Sequence, residues 1–127
     1  MRILIADDED DVRDLLQEMI AREPSLDLVG VGSDAAQAIE IAGREKPDVA
    51  LIDAHMPEGG GLRALKEIKQ ISPGTATVVL SAFDSQQKVV EHLDAGAIAY
   101  LVKPVSRRDL VATLEKAVEA HKNASSE

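Results

Sequence analysis

With 127 residues, 23 acidic against 14 basic side chains and a net charge of -9, the chain has the size of one ordinary domain, and its charge argues against broad binding to nucleic acid or anionic lipid. It contains no cysteine, which removes a disulfide framework, a thiolate metal site and a cysteine nucleophile. No apolar stretch approaches the ~20 residues that span a membrane and no signal-peptide pattern follows Met1, so a soluble cytoplasmic protein is expected, with no membrane partner and no direct nucleic-acid contact through this segment.

The first short apolar run predicts a strand over 2–6, ending at Asp7 and Asp8. Val12, Leu15, Leu16, Met19 and Ile20 then follow the i, i+3, i+4, i+7, i+8 spacing of one buried helix face. A strand over 26–31 leads to a thinner helical stripe of Ala35, Ala38, Ile39 and Ala42, closed by Pro47. The strand over 49–52 ends at Asp53 and is followed by a helix marked by Leu62, Leu65, Ile68 and Ile71, which stops at Ser72, Pro73 and Gly74. A strand over 77–80 ends at Ser81, and Val89, Val90 and Leu93 mark the fourth helix, ended near Gly96. A last strand over 99–102 ends at Lys103, before a helix over 107–121 with Ser106 and Asp109 in a capping-box pattern. Residues 123–127 read as a flexible tail or the start of a linker after a domain over 1–122.

Five alternations of strand and helix, with connections too long for hairpins, require parallel pairing through right-handed crossovers. The class is α/β with a doubly wound, five-stranded parallel sheet. Periodicity leaves the strand order open; the order 2-1-3-4-5 would set the first and third strands side by side at a switch point.

In such a sheet all the strand ends can share one edge, where open α/β sheets place their ligands. Acidic residues after the first strand also suit a helix N-terminus, which accounts for part of Asp10 and Asp11. Asp53, at a distant strand end, is what turns the acidic run into a candidate site. Converging carboxylates either raise a pKa or recruit a cation, and hard oxygen donors with room for water and phosphate suit Mg2+, or Mn2+. Lys103 can meet a phosphoryl oxygen as a point charge and Ser81 can donate a hydrogen bond to another. The Gly59-Gly60-Gly61 run lacks a following lysine and reads as loop geometry, not a nucleotide-binding loop.

These pieces together resemble the receiver domain of bacterial two-component response regulators over essentially the whole chain. The matching residues are Asp7-Asp8, Asp53 with Met56-Pro57, Gly61-Leu62, Ser81-Ala82, and Ala95-Gly96-Ala97 leading to Tyr100 and Lys103-Pro104. The resemblance implies the flavodoxin-like order 2-1-3-4-5. It implies that Asp53 accepts a phosphoryl group from a sensor histidine kinase or phosphotransfer protein, as a signalling switch rather than an enzyme acting on other substrates. Asp8 would bind the metal directly, Asp7 through water, and Asp53 and the His55 backbone carbonyl would complete the protein ligands, with Lys103 opposing the charge of the transferring group. Ser81 and Tyr100 would relay the change to the face of helix four, strand five and helix five, and Lys103-Pro104 would be a cis peptide.

Two positions near the site vary among receivers. His55 and Phe83 occupy them here and are expected to tune the phosphoryl lifetime, against the plainer reading of His55 as an exposed loop residue. Ile98-Ala99 stand where receivers with winged-helix outputs commonly carry acidic residues, so another output, transcriptional or antiterminating, in a longer chain fits better. A phosphorylation-dependent dimer stays open. The alternatives are a degenerate receiver used for constitutive docking and, from another class, an aspartate-based Mg2+-dependent phosphohydrolase. Adjacent Asp7-Asp8 and the lack of a cap domain weigh against the second.

Overall fold

The computed structural model describes residues 1–125; residues 126 and 127 of the expected tail lie outside them. The elements run β1 (Arg2–Ala6), α1 (Asp10–Ala21), β2 (Asp27–Gly32), α2 (Ala35–Glu45), β3 (Val49–Asp53), α3 (Gly60–Ile71), β4 (Ala76–Ser81), α4 (Gln86–Asp94), β5 (Ala99–Val102) and α5 (Arg107–Ser125). All strands pair in parallel, in the order β2-β1-β3-β4-β5. This is the doubly wound α/β architecture expected from the alternation.

Strands buried on both faces should be apolar throughout, and β3 and β4 are buried at every residue. Alternation then divides the core into two layers. Ile3, Ile5, Val49, Leu51, Val78 and Leu80 pack on one side with Leu16 and Ile20 of α1 and Leu110 and Leu114 of α5. Leu4, Ala6, Ala50 and Ile52 face the other side, against Ala38 and Ala42 of α2 and Ala64 and Ile68 of α3. The edge strands β2 and β5 are only half-buried. Among the described residues no helix is long and apolar enough to cross a membrane.

Caps fix the helix starts. Asp34 accepts the Gln37 N–H at 2.7 Å, Ser85 that of Lys88 at 3.3 Å, and Ser106 that of Asp109 at 3.1 Å. At α3 the start is set by close approach. A Cβ on Gly61 would lie 2.9 Å from both the Ala54 Cα and the Asp53 carbonyl oxygen, so glycine lets α3 sit directly against the end of β3.

The fourth helix forms where expected, but Val90 and Leu93 are exposed at 47% and 42% and His92 is its buried residue. The neighbouring core cluster is small, Ala54, Leu65, Val79 and Ala97 with Ala95 and Tyr100 against it, and it is His92 that turns toward the Tyr100 ring. Two other expectations need correction. Leu15 of α1 is likewise exposed, at 50%. The helix after β5 does not stop at residue 121 but continues through Asn123 to Ser125, taking in part of the expected tail.

Candidate functional site

Register places the candidate residues. Ala6 pairs with Ile52, Asp53 with Leu80 and Ser81 with Val102, so Asp7, Asp53, Ser81 and Lys103 all emerge at the same edge of the sheet. Asp7 and Asp53 are almost fully buried, at 1% and 3% exposure, and Ser81 is fully buried. Asp7, Asp8, Glu9 and Asp53 each offer a carboxylate oxygen within 4.8 Å of the others, the one such acidic group among the described residues.

Lys103 enters this cluster from the end of β5. Its Nζ lies 2.9 Å from Asp7 Oδ2, 3.6 Å from Asp53 Oδ1 and 3.5 Å from Glu9 Oε1. The Lys103-Pro104 peptide is cis, as the resemblance implied. Burial works against the ammonium, but Asp7, Asp53 and Glu9 outweigh it and hold the Lys103 pKa above its usual value. Asp7 Oδ2 is buried, and the Lys103 ammonium at 2.9 Å is its one close partner, with no second donor completing it. An acceptor left in that condition, among hard oxygen donors, is what a small divalent cation would satisfy, and the residues therefore fit Mg2+.

Burial, and next the charge of Asp7, push the Asp53 pKa from 3.8 up to about 7, while Lys103 and the His55 N–H pull the other way. Without a further cation this carboxylate is ionised only in part at neutral pH. That N–H donates to Asp53 Oδ1 at 3.3 Å. The His55 ring is exposed and meets the Phe83 ring edge-on, 4.9 Å between centroids, with Lys88 Nζ 5.7 Å from the Phe83 centroid. Partial desolvation, then Lys88 and His92, hold the His55 pKa below its usual value.

Ser81, at the same sheet edge, and Tyr100 are joined through Phe83. Ser81 Oγ accepts the Phe83 N–H at 3.1 Å, and the Tyr100 hydroxyl donates to the Phe83 carbonyl at 2.6 Å. The Tyr100 ring meets His92 edge-on at 5.6 Å. The residues missed from the sequence are His92 and Lys88, which line a groove of about 550 Å3 with Asp8 and His55, and Arg13, which holds the β1–α1 loop. Helical periodicity alone could have found none of them, because each is polar.

The chain matches the model of the response regulator receiver domain over residues 3–115. It is 44% identical over 119 residues to the transcriptional regulatory protein PdtaR of Mycobacterium tuberculosis, covering 92% of this chain and 56% of the relative; the chain thus spans about half the length of that protein. It is 35% identical to the chemotaxis protein CheY of Thermotoga maritima, covering 91% of this chain and 95% of the relative. A CheY-like receiver domain from Methanospirillum hungatei superposes with a TM-score of 0.87 at 26% identity, covering 97% of both chains. Two aspartates and a glutamate meet one lysine at the carboxyl edge of this sheet, the family model and the CheY relative each cover about nine-tenths of the chain, and the chain belongs to the response regulator receiver domain family.

Proposed function

We propose that the chain is a phosphoacceptor switch in which Asp53 takes a phosphoryl group from a sensor histidine kinase or phosphotransfer protein. The observation that carries this reading is the convergence of Lys103 on both Asp7 and Asp53 at one sheet edge, at 2.9 and 3.6 Å. A carboxylate oxygen of Asp53 attacks phosphorus, the bond from phosphorus to the donor nitrogen breaks, and the imidazole leaves with the electron pair. The product is an acyl phosphate. Asp8, Asp53 and the His55 carbonyl, with Asp7 through water, are the residues that would hold Mg2+, or Mn2+. When bound, the metal supplies positive charge against the incoming phosphoryl group.

The chain's own residues do the rest by positioning and electrostatics. Lys103 keeps its charge because three carboxylates surround it, and it can follow a transferred group once Asp53 carries the phosphoryl group as a mixed anhydride. Ser81 is one residue beyond the partner of Asp53 and its hydroxyl can turn to a phosphoryl oxygen. That turn loosens its bond with the Phe83 N–H, and Phe83 carries the Tyr100 hydroxyl, so the change passes to β5 and α4. His55 and Phe83 flank the approach of water to the acyl phosphate and set its lifetime. An unchanged dephosphorylation rate in Phe83→Ala overturns that role.

Residues 1–122 are read as the receiver, with α5 itself running on to Ser125, and the 56% share of the transcriptional relative that the chain spans supports an output in a longer chain. The similarity to a transcriptional regulatory protein supports control of transcription or antitermination. The test is intact mass after incubation with Mg2+ and acetyl phosphate. One added phosphoryl group is expected, absent with chelator and absent in Asp53→Asn. No adduct in the wild type leaves a constitutive docking module as the better reading.

A further inference from the structure

Arg13 belongs to the first turns of α1, yet its side chain folds back over the strand end and is only 19% exposed. Its Nη1 donates to the Asp7 carbonyl at 2.7 Å and its Nη2 pairs with Asp10. The remaining groups of Asp7 are also held: its N–H donates to the Gly32 carbonyl at 3.1 Å, and its Oδ1 accepts the Glu9 N–H at 2.9 Å. Only Oδ2 is left, facing Lys103. Glu9, the N-cap of α1, makes no side-chain cap bond, so the acidic turn is tied to the start of the helix by Asp7 Oδ1 on the Glu9 N–H and, from within the helix, by Arg13 on the Asp7 carbonyl.

We infer that Arg13 is a positioning residue for divalent-cation binding: it fixes the backbone of Asp7 so that the carboxylates of Asp7 and Asp8 present a preformed oxygen cradle. This rests on the reading of the acidic cluster as the cation site. Asp10 is 85% exposed, so its ion pair with Arg13 is screened and carries little. The weight falls on the bond to the Asp7 carbonyl. The guanidinium meets its two partners from separate nitrogens held in a fixed plane, whereas an ammonium offers all its donors from one nitrogen at the end of a flexible stem.

Charge and position predict opposite signs. As a nearby cation, Arg13 repels a metal, and its removal should tighten binding. As a positioning group, its removal should weaken binding, even when the charge is kept. The experiment is Mg2+ titration of the intact chain, followed by calorimetry and amide chemical shifts, for wild type, Arg13→Lys, Arg13→Ala and Asp10→Ala, with thermal midpoints recorded in chelator. Both Arg13 variants should bind Mg2+ about tenfold more weakly, as loss of an outer-sphere partner does. Asp10→Ala should bind as wild type, and the chelator midpoints should change little. Unchanged affinity in Arg13→Lys, tighter binding in Arg13→Ala, equal loss in Asp10→Ala, or unfolding of the Arg13 variants in chelator each overturns the role. Failure of the wild type itself to bind Mg2+ overturns instead the cation site beneath it.

Discussion

Asp53 is held at a cost to the metal-free fold. Its pKa is about 7 in the folded chain against 3.8 for the ordinary group. Between those values the folded protein keeps a proton that the unfolded chain has lost, so stability falls as pH rises through that window. Three pKa units correspond to an upper bound of about 4 kcal/mol. In chelator at pH 7.5, Asp53→Asn should therefore raise the thermal midpoint above wild type, and the advantage should vanish near pH 4. Equal midpoints at both pH values would remove the electrostatic load assigned to this carboxylate. The aspartates, Ser81 and Lys103 were legible in the sequence because each ends an apolar run. Arg13, Lys88 and His92 were not, because their roles depend on where a helix turns its polar side chains once packed.

At the scale of the element, boundaries followed from apolar runs and caps, whereas helix phase followed from the surface beneath. β1, β3 and β4 begin or end within a residue of expectation, since burial on both faces leaves an uninterrupted apolar signature. The short α4 turns His92 inward against Tyr100 and leaves Val90 and Leu93 outward. A pair of substitutions separates these regimes. Gly61→Ala places a Cβ against backbone at 2.9 Å and should cost about 1–3 kcal/mol by urea titration. Leu93→Ser should change stability by no more than about 0.5 kcal/mol. A neutral Gly61→Ala would mean that α3 can move away from the β3 end without penalty.

For the whole molecule, a formal charge of -9 spread over 127 residues favours expansion, and added salt screens it. NaCl should raise the thermal midpoint modestly. MgCl2 matched in ionic strength should raise it further, because binding to the folded state alone adds RT ln(1 + [L]/Kd), and the surplus should disappear in Asp53→Asn. Equal effects of the two salts would leave only screening. The sheet order was not legible from periodicity, because strand adjacency is set by crossovers and not by local pattern. It entered through family resemblance, and the register that it produces is what brings the strand ends together.

The hydroxyl of Tyr100 bonded to the carbonyl of Phe83 has one more consequence. The chain has one tyrosine, one phenylalanine and no tryptophan, so all of its phenol absorbance, and all emission excited in the phenol band beyond the phenylalanine absorption, comes from that ring. The protein carries its own optical probe, unlabelled and hydrogen-bonded to the segment through which the proposed phosphorylation switch acts. A stopped-flow trace of tyrosine emission after mixing with beryllofluoride would time the rearrangement directly, without any background from other fluorophores.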